Sequence, residues 1–145
     1  MIPSETYKII QENVPIVCID GIVKNDFGEY LLVKRLNEPL KDEYWIPGGR
    51  LLKNESLEQA IIRKMQEELG ITVEIVGLIG FFEDFYPEAQ VNVRYGLHVI
   101  SFVFLLSSKN TKDIILDNQS SNFIWLKELP ELLLKRLVFI GDKKL

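Results

Sequence analysis

Residues 48–71 read GGRLLKNESLEQAIIRKMQEELGI, a glycine pair followed by a helical pattern that ends at a third glycine. Ser56 and Gln59 have the spacing of a capping box, in which a hydroxyl and a side-chain amide satisfy free backbone donors at the start of a helix. Gly70 is typical of the residue that ends a helix. The pattern therefore predicts a helix over residues 57–69.

This helix carries charge within its apolar face. At about 100° per residue, the apolar stripe comprises Leu57, Ile61, Met65 and Leu69, with Ile62 beside it. Glu68 falls inside the stripe, and Glu67 and Lys64 lie at its margin. Burying an uncompensated carboxylate is costly, so Glu68 needs a partner.

Two kinds of partner are consistent with the spacing. In one interpretation, Glu68 pairs with Lys64 and Glu67 pairs with Arg63, both as ordinary i, i+4 ion pairs on a helix. In the other, the two adjacent carboxylates and a free carbonyl of the loop that contains Gly48 and Gly49, called the glycine loop below, offer oxygen ligands to Mg²⁺ or Mn²⁺. The position of Glu68 inside the apolar stripe favours the metal site.

Around this helix, the chain has the pattern of one α/β domain over residues 1–145. Apolar runs of strand length comprise residues 14–23, 29–35, 72–82, 93–106 and 123–126, and helical patterns comprise residues 4–12 and 129–137. Asn25-Asp26-Phe27-Gly28 predicts a turn, so the first two strands are expected to form a hairpin.

Charge and composition exclude several classes of partner. The chain has 17 Lys and Arg against 21 Asp and Glu, a net charge of −4, which disfavours a surface for a nucleic-acid polymer. A metal ion and a few arginines would still accommodate a nucleotide. The longest apolar stretch, residues 99–106, is far below the roughly 20 residues of a membrane helix. With a single cysteine, Cys18, in an apolar run, we expect a cytoplasmic protein without a membrane segment.

The spacing of the first segment resembles the Nudix box. The matching positions are Gly49, Glu55, Arg63, Glu67, Glu68 and Gly70, with apolar residues at 65 and 71. The resemblance implies a Nudix-type α/β/α sandwich with a mixed β-sheet, and divalent-metal-dependent hydrolysis of a nucleoside-diphosphate-linked substrate.

The resemblance also implies roles for these residues. Glu67 and Glu68 would hold Mg²⁺ or Mn²⁺ together with the Gly49 carbonyl, while Arg63 and Glu55 would lock the loop to the helix. Lys64 departs from the family pattern, which has a glutamate at this position. In many Nudix pyrophosphatases that glutamate binds metal or deprotonates water, and a protonated lysine does neither.

Outside the box, residues 26–35 (DFGEYLLVKR), Asn37, residues 44–45 (YW) and residues 47–50 (PGGR) are similar to the GDP-mannose mannosyl hydrolase branch. In that branch water attacks the sugar C1 carbon and releases GDP and the hexose. The similarity implies that Arg35 and Arg50 contact the diphosphate, as planar guanidinium groups do well. Dimerisation is common in the branch, so a homodimer is also expected.

Three further positions follow from this similarity. His98 matches a histidine near the leaving group, although a hydrogen-bonded, partly buried ring is an equally simple interpretation. Gln119 matches a metal ligand. Ser120 stands where the branch has a catalytic histidine, and a serine is not a base near neutral pH without help. A carboxylate from the polar loop after the strand predicted over residues 72–82 could replace it, and the candidates are Glu83, Asp84 and Glu88.

Three functions remain open at this point. The first is hydrolysis of a nucleotide sugar such as GDP-mannose. The second is a Nudix-fold nucleotide-binding module that has lost catalysis, because both Lys64 and Ser120 depart from the pattern. The third is a Nudix pyrophosphatase acting on ADP-ribose or nucleoside triphosphates.

Overall fold

The computed structural model describes residues 1–87, 93, 94, 96–143 and 145. The elements follow one another as α1 (Ser4–Asn13), β1 (Ile16–Lys24), β2 (Tyr30–Arg35), β3 (Tyr44–Trp45), β4 (Gly48–Arg50), α2 (Leu57–Leu69), β5 (Glu74–Tyr86), β6 (Leu97–Ser107), a 3₁₀ turn (Thr111–Asp113), β7 (Ser120–Leu126), α3 (Glu131–Arg136) and β8 (Val138–Phe139). None of the helices in these ranges is long and apolar enough to cross a membrane.

The strands form one mixed sheet. Its order in the described chain is β3-β2-β1-β6-β5-β8, with β4 paired to β1 and β7 paired to β2. β1 and β6 run parallel along nine residue pairs, from Ile16↔Val99 to Lys24↔Ser107. The remaining pairs, such as β5 with β6, are antiparallel. The predicted mixed α/β sheet is therefore confirmed.

Helices cover both faces of the sheet. Successive side chains of a strand point to opposite faces, and in β2 the Leu31 and Val33 side chains pack in the cluster that contains Met65 of α2. Leu32, between them, packs in the second cluster, which contains Leu133 of α3. The two helices thus lie on opposite sides, as in an α/β/α sandwich.

The helix predicted over residues 57–69 matches α2 at both ends. The Ser56 hydroxyl accepts a hydrogen bond from the Gln59 backbone, the Gln59 side chain accepts one from the Ser56 backbone, and Gly70 takes a left-handed conformation at φ 64°. Glu68 is 5% exposed, so its predicted place inside the apolar face is confirmed. The placement of Ile62 beside that face is wrong, because Ile62 is 46% exposed.

Several strands differ from the prediction because residues far apart in the sequence pair with one another. β5 continues to Tyr86, paired with Leu97, so Glu83 and Asp84 lie in a strand and not in the predicted loop. β7 begins at Ser120, three residues before the prediction. β3, β4 and β8 were missed because two or three residues show no period. α3 is shorter than predicted and begins after Pro130.

The predicted hairpin is confirmed at its turn. The Asn25 carbonyl accepts a hydrogen bond from the Gly28 backbone at 3.1 Å, and Gly28 has a left-handed φ of 74°. Beyond the pair Lys24↔Tyr30 the two strands take other partners. β1 pairs with β4 through Cys18, Ile19 and Asp20, and this second pairing places the glycine loop beside the centre of the sheet.

A carboxyl group is buried where β1 and β6 meet. Asp20 is 9% exposed, and its Oδ2 accepts a hydrogen bond from the Ser101 hydroxyl on β6. Burial raises the pKa of Asp20 to about 7, although the Ser101 hydrogen bond and the charge of Arg35 both favour the ionised form. The folded protein therefore holds the Asp20 proton more tightly than the unfolded chain does.

Replacement of Asp20 by Asn should change how stability depends on pH. Stabilisation from the bound proton is complete below pH 4 and is lost as pH rises towards 7, whereas Asn has no proton to lose. At roughly 1.4 kcal/mol per pKa unit, the free energy of unfolding of Asp20→Asn should gain about 2 to 4 kcal/mol on wild type between pH 4 and pH 7. Urea unfolding of metal-free protein at several pH values measures this difference. Asp26→Asn, in the exposed turn, is the control, and parallel pH profiles for Asp20→Asn and wild type would contradict the prediction.

Candidate active site

A cavity of about 290 Å³ lies at the end of the sheet where α1, the glycine loop and α2 meet. Its walls include polar groups from distant parts of the chain, among them Asp20, Arg35, Arg50, Lys64 and Glu68. These groups carry opposite charges in a small space. The charged groups of its wall therefore make the cavity a candidate binding site for a charged ligand.

Glu68 enters the cavity wall from the buried face of α2. Its Oε2 accepts a hydrogen bond from the Gly48 backbone at 3.3 Å, which ties the helix to the glycine loop. Burial raises the pKa of Glu68 from its ordinary value, and the neighbouring Lys64 ammonium opposes that shift. Glu67 lies beside it with its side chain 51% exposed, so the two carboxylates project at different depths.

The Lys64 ammonium lies between these two carboxylates. Its Nζ is 2.9 Å from Glu68 Oε1 and 3.7 Å from Glu67 Oε2. A Cβ atom on Gly49 would lie 2.6 Å from Lys64 Cε, so the loop passes close to the lysine, and a larger residue there would displace the end of its side chain. The ion pair that the spacing offered as an alternative to metal is thus present, and it lies against Gly49.

Arg63 fastens the glycine loop to α2 from the outer side. Its guanidinium contacts both Glu55 oxygens, at 2.6 and 3.0 Å, and donates to the Arg50 carbonyl at 3.1 Å. It also forms the i, i+4 pair with Glu67 at 3.1 Å. The hydrogen bonds from Arg63 hold the pKa of Glu55 below its ordinary value. These contacts are those of a clamp that positions the loop.

Both arginines singled out from the sequence line the cavity. Arg35 Nε donates to the Pro39 carbonyl at 2.7 Å, which fixes the side chain next to the loop after β2. The Arg50 guanidinium lies 4.3 Å from the centre of the Tyr7 ring of α1, a cation–π contact. Arg50 Nε is buried and has no hydrogen-bond partner in the described part of the chain.

Gln119 and Ser120 also line the cavity, at the start of β7. Ser120 is buried and pairs with Arg35 across β2 and β7. Gln119 Oε1 accepts a hydrogen bond from Asn37 at 3.0 Å. The structure therefore brings together Arg35, Gln119 and Ser120, although more than 80 residues separate the first from the last two.

His98 does not lie with these groups. Leu97 and Val99 line the cavity, and His98, between them on β6, points to the other face of the strand. There its ring stacks on Phe85 at 4.3 Å between centroids, and its Nε2 lies 2.9 Å from Glu83. The expected contact between His98 and a bound substrate is thus not supported by its position.

The carboxylates proposed to act as the base in place of a histidine at position 120 do not lie with the cavity groups either. Glu83 is on the outer face with His98. Asp84 is buried, forms an ion pair with Arg136 of α3 and accepts a hydrogen bond from the Tyr86 hydroxyl at 3.0 Å. Neither lines the cavity. Glu88 lies outside the described residues.

Sequence reasoning missed several cavity residues. Asp20 and Glu38 are the carboxyl groups that line the cavity besides Glu68, within the described ranges. Tyr7 and Gln11 reach it from α1. An aspartate within the apolar run of β1 was a signal that could have been noticed, since buried carboxylates are uncommon. Gln11 gave no comparable signal, because a glutamine in a short polar helix is ordinary.

The site residues offer an incomplete metal shell. In the part of the chain that the structure describes, no three His, Cys, Asp or Glu side chains converge closely enough to hold a metal ion by themselves. Two adjacent carboxylates and a carbonyl can nevertheless bind Mg²⁺, which commonly keeps several waters and takes further oxygens from substrate phosphates. The donor set therefore fits a metal that binds together with a phosphorylated substrate.

Comparison with known proteins identifies the family. A model of the NUDIX domain matches residues 15–141. The low-salt glycan biosynthesis protein Agl8 of Haloferax volcanii is 38% identical over 103 residues, which cover 71% of this chain and 65% of that protein's length. The ADP-ribose pyrophosphatase of Methanocaldococcus jannaschii is 32% identical over 132 residues, covering 88% of this chain and 72% of that protein.

Solved structures show the same fold. The MutT protein from Methanosarcina mazei Go1 has a TM-score of 0.63 at 25% identity and covers 79% of this chain and 78% of its own. A MutT NUDIX hydrolase from Burkholderia pseudomallei has a TM-score of 0.67 at 24% identity, covering 82% and 89%. With the family model spanning most of its length, the chain belongs to the Nudix hydrolase family.

Proposed function

We propose that this protein is a divalent-metal-dependent hydrolase of a nucleoside-diphosphate-linked substrate, specifically a nucleotide sugar such as GDP-mannose. The observation that carries the proposal is the composition of the cavity wall, which the buried Glu68 of α2 shares with Arg35 and Arg50. Carboxylates suit the metal, and guanidinium groups suit a diphosphate.

Positive charges on the cavity wall explain how the protein would bind a nucleotide diphosphate. Arg35 and Arg50 supply two fixed positive charges, and a nucleotide diphosphate carries negative charge along its bridge. Arg63 holds the Arg50 backbone and the Glu55 side chain, so the loop that carries Arg50 is positioned before substrate arrives. Preorganised contacts of this kind reduce the entropy lost on binding.

Metal would be held by Glu67, Glu68 and the Gly49 carbonyl, with Gln119 as a further oxygen ligand. A divalent ion held there would supply positive charge that stabilises the nucleoside diphosphate as a leaving group. The Lys64 ammonium must move away from Glu68 for the ion to enter, and Gln119 must give up its hydrogen bond with Asn37. Substrate phosphates provide the remaining oxygens.

Attack at the sugar carbon is the form of hydrolysis that suits these residues. In it the bond between the sugar C1 and the diphosphate oxygen breaks, and the nucleoside diphosphate leaves as a whole. The water oxygen bonds to C1, and the proton that water loses passes to solvent or to the released nucleoside diphosphate. The reaction depends on stabilising the leaving group, which Arg35, Arg50 and the metal do. It depends less on a strong base at position 64, where this chain has lysine.

The names of two relatives support a sugar-containing substrate. One is a glycan biosynthesis protein, and the other is a pyrophosphatase of ADP-ribose, which is itself a nucleoside diphosphate joined to a sugar. Other relatives are diphosphatases of 8-oxo-dGTP, among them that of Escherichia coli at 30% identity over 78 residues. The nucleotide-sugar proposal is favoured because the two relatives with longer matches carry the sugar-related names.

A second candidate is a nucleotide-binding module without turnover. The ion pair of Lys64 with Glu68 favours it, because an internal ammonium already balances the charge of the buried carboxylate. Ser120, buried at the cavity wall, provides no base. Such a module would bind nucleotides and release no product.

A substrate panel in ¹⁸O-labelled water separates these functions. GDP-mannose, GDP-glucose, UDP-glucose, ADP-ribose and nucleoside triphosphates are incubated with Mg²⁺, and the products are analysed by mass spectrometry. We expect label in the released sugar, with unlabelled nucleoside diphosphate. Label in phosphate would instead identify a pyrophosphatase, and binding without product would identify the binding module.

Glu68→Gln should abolish most of the activity found in that panel. The amide keeps the size of the side chain and removes the negative charge that holds metal, so kcat should fall about 100-fold or more. Glu58→Gln, on the exposed first turn of α2, is the matched control and should retain activity. Activity of Glu68→Gln close to that of wild type would refute the metal role.

Lys64→Met should strengthen metal binding. Removing the ammonium abolishes its repulsion of a divalent ion and its competition for Glu68, so the Kd for Mn²⁺ should fall about tenfold, or about 1.4 kcal/mol. Titration calorimetry measures the Kd, and Lys127→Met, an exposed position, is the control. Weaker Mn²⁺ binding by a folded Lys64→Met would show that the lysine supports the ligands and does not compete with the metal.

A further inference from the structure

α1 contributes a polar wall to the cavity that the family match does not include. The match begins at residue 15, after the end of α1 at Asn13. The helix is held in place because Tyr7 and Ile10 pack with Ile16, Leu97 and Val99. Glu12 Oε1 also accepts a hydrogen bond from the Arg94 backbone at 3.0 Å.

Gln11 is the buried polar residue of this helix. It is 6% exposed and lines the cavity. Its Oε1 has no hydrogen-bond partner among the residues the structure describes. Buried polar atoms in native proteins are nearly always hydrogen-bonded, so an exception at a cavity wall calls for an explanation. A ligand group that donates a hydrogen bond would satisfy it after a small rotation of the carboxamide.

Arg50 has a complementary unsatisfied group on the same wall. Its Nε is buried without a partner, and its guanidinium contacts the Tyr7 ring, one helical turn from Gln11. The wall thus offers a donor at Arg50 and an acceptor at Gln11. A ligand that satisfies both presents an acceptor and a donor to the same wall of the cavity.

Only some groups of a nucleotide sugar can donate a hydrogen bond to Gln11 Oε1. Phosphate oxygens of a diphosphate and carbonyl oxygens accept hydrogen bonds, so neither can satisfy Gln11 Oε1. In a nucleotide sugar the diphosphate is flanked on both sides by sugars, whose hydroxyl groups donate and accept. If Arg50 binds the diphosphate, the next donor along the ligand in either direction is a sugar hydroxyl.

We propose that Gln11 is a specificity-determining residue that accepts a hydrogen bond from a sugar hydroxyl adjacent to the diphosphate. This inference rests on the proposed function, because it takes the diphosphate position from Arg50. α1 is then part of the substrate site, and Gln11 distinguishes sugar-linked diphosphates from ligands that have phosphate alone.

The test compares Gln11→Leu with wild type for three kinds of ligand. Titration calorimetry in EDTA, and again with Mg²⁺ on the ligands that are not turned over, gives the Kd of GDP-mannose and ADP-ribose, of GDP and ADP, and of inorganic pyrophosphate. We expect a roughly tenfold loss of affinity for a nucleotide sugar and no change for pyrophosphate. Gln66→Leu, at an exposed position of α2, is the matched control.

The nucleoside diphosphates distinguish which sugar is bound. A tenfold loss for GDP or ADP as well assigns the hydroxyl to the ribose, and an unchanged Kd assigns it to the second sugar. Equal losses for all ligands, including pyrophosphate, or no loss for any, would overturn the role of Gln11. Wild-type protein that binds none of these ligands would overturn the proposed function and this inference together.

Thermal unfolding of the free protein provides a readout that a purely structural role would not share. Because Gln11 Oε1 is unsatisfied, Gln11→Leu should have a Tm equal to or above that of wild type. Gln11→Met, similar in length and without an acceptor oxygen, should reproduce the loss of nucleotide-sugar affinity. A large fall in Tm for both variants would show that Gln11 supports the fold, contrary to the proposal.

Discussion

The burial of Glu68 is the constraint on which the site depends. Its side chain lies in the apolar face of α2, where an isolated charge would be too costly, so the surroundings must compensate it. The Gly48 backbone and the Lys64 ammonium do so. Because the first of these partners is in the glycine loop, compensating Glu68 also fixes the loop against the helix. The β1–β4 pairing and the hydrogen bond from Arg63 to the Arg50 carbonyl complete the placement of Gly49 and Arg50.

Strand pairing in the sheet brings the remaining cavity residues close to Glu68 and the glycine loop. β1 pairs with β6 on one side, and on the other side it pairs with β4 and with the first residue of β2. Asp20 is therefore close to both Ser101 and the glycine loop. β7 pairs with β2 and carries Gln119 and Ser120 to Arg35. A parallel pair in the middle of a largely antiparallel sheet thus makes a cavity from segments far apart in the chain.

Lys64 places a positive charge beside the Glu67 and Glu68 carboxylates, where a glutamate would add a third negative charge. Within the described residues, its ammonium already neutralises the carboxylates, and it lies against Gly49. The same contact opposes entry of a divalent ion, so substrate phosphates that bind with the metal would have to supply part of the driving force.

The sequence by itself determined the parts that depend on local signals. The capping box, the closing glycine and the charge inside an apolar stripe act within a few turns, and they predicted α2 and its buried Glu68. The tertiary structure decided which groups face the cavity. The direction of a strand side chain depends on register and pairing with distant strands, so His98 and Glu83 face outward while Asp20 faces inward. Gln11 reaches the cavity because its helix, α1, packs on β1 and β6. Short strands such as β4 exist because of their partners, and no local period could have revealed them.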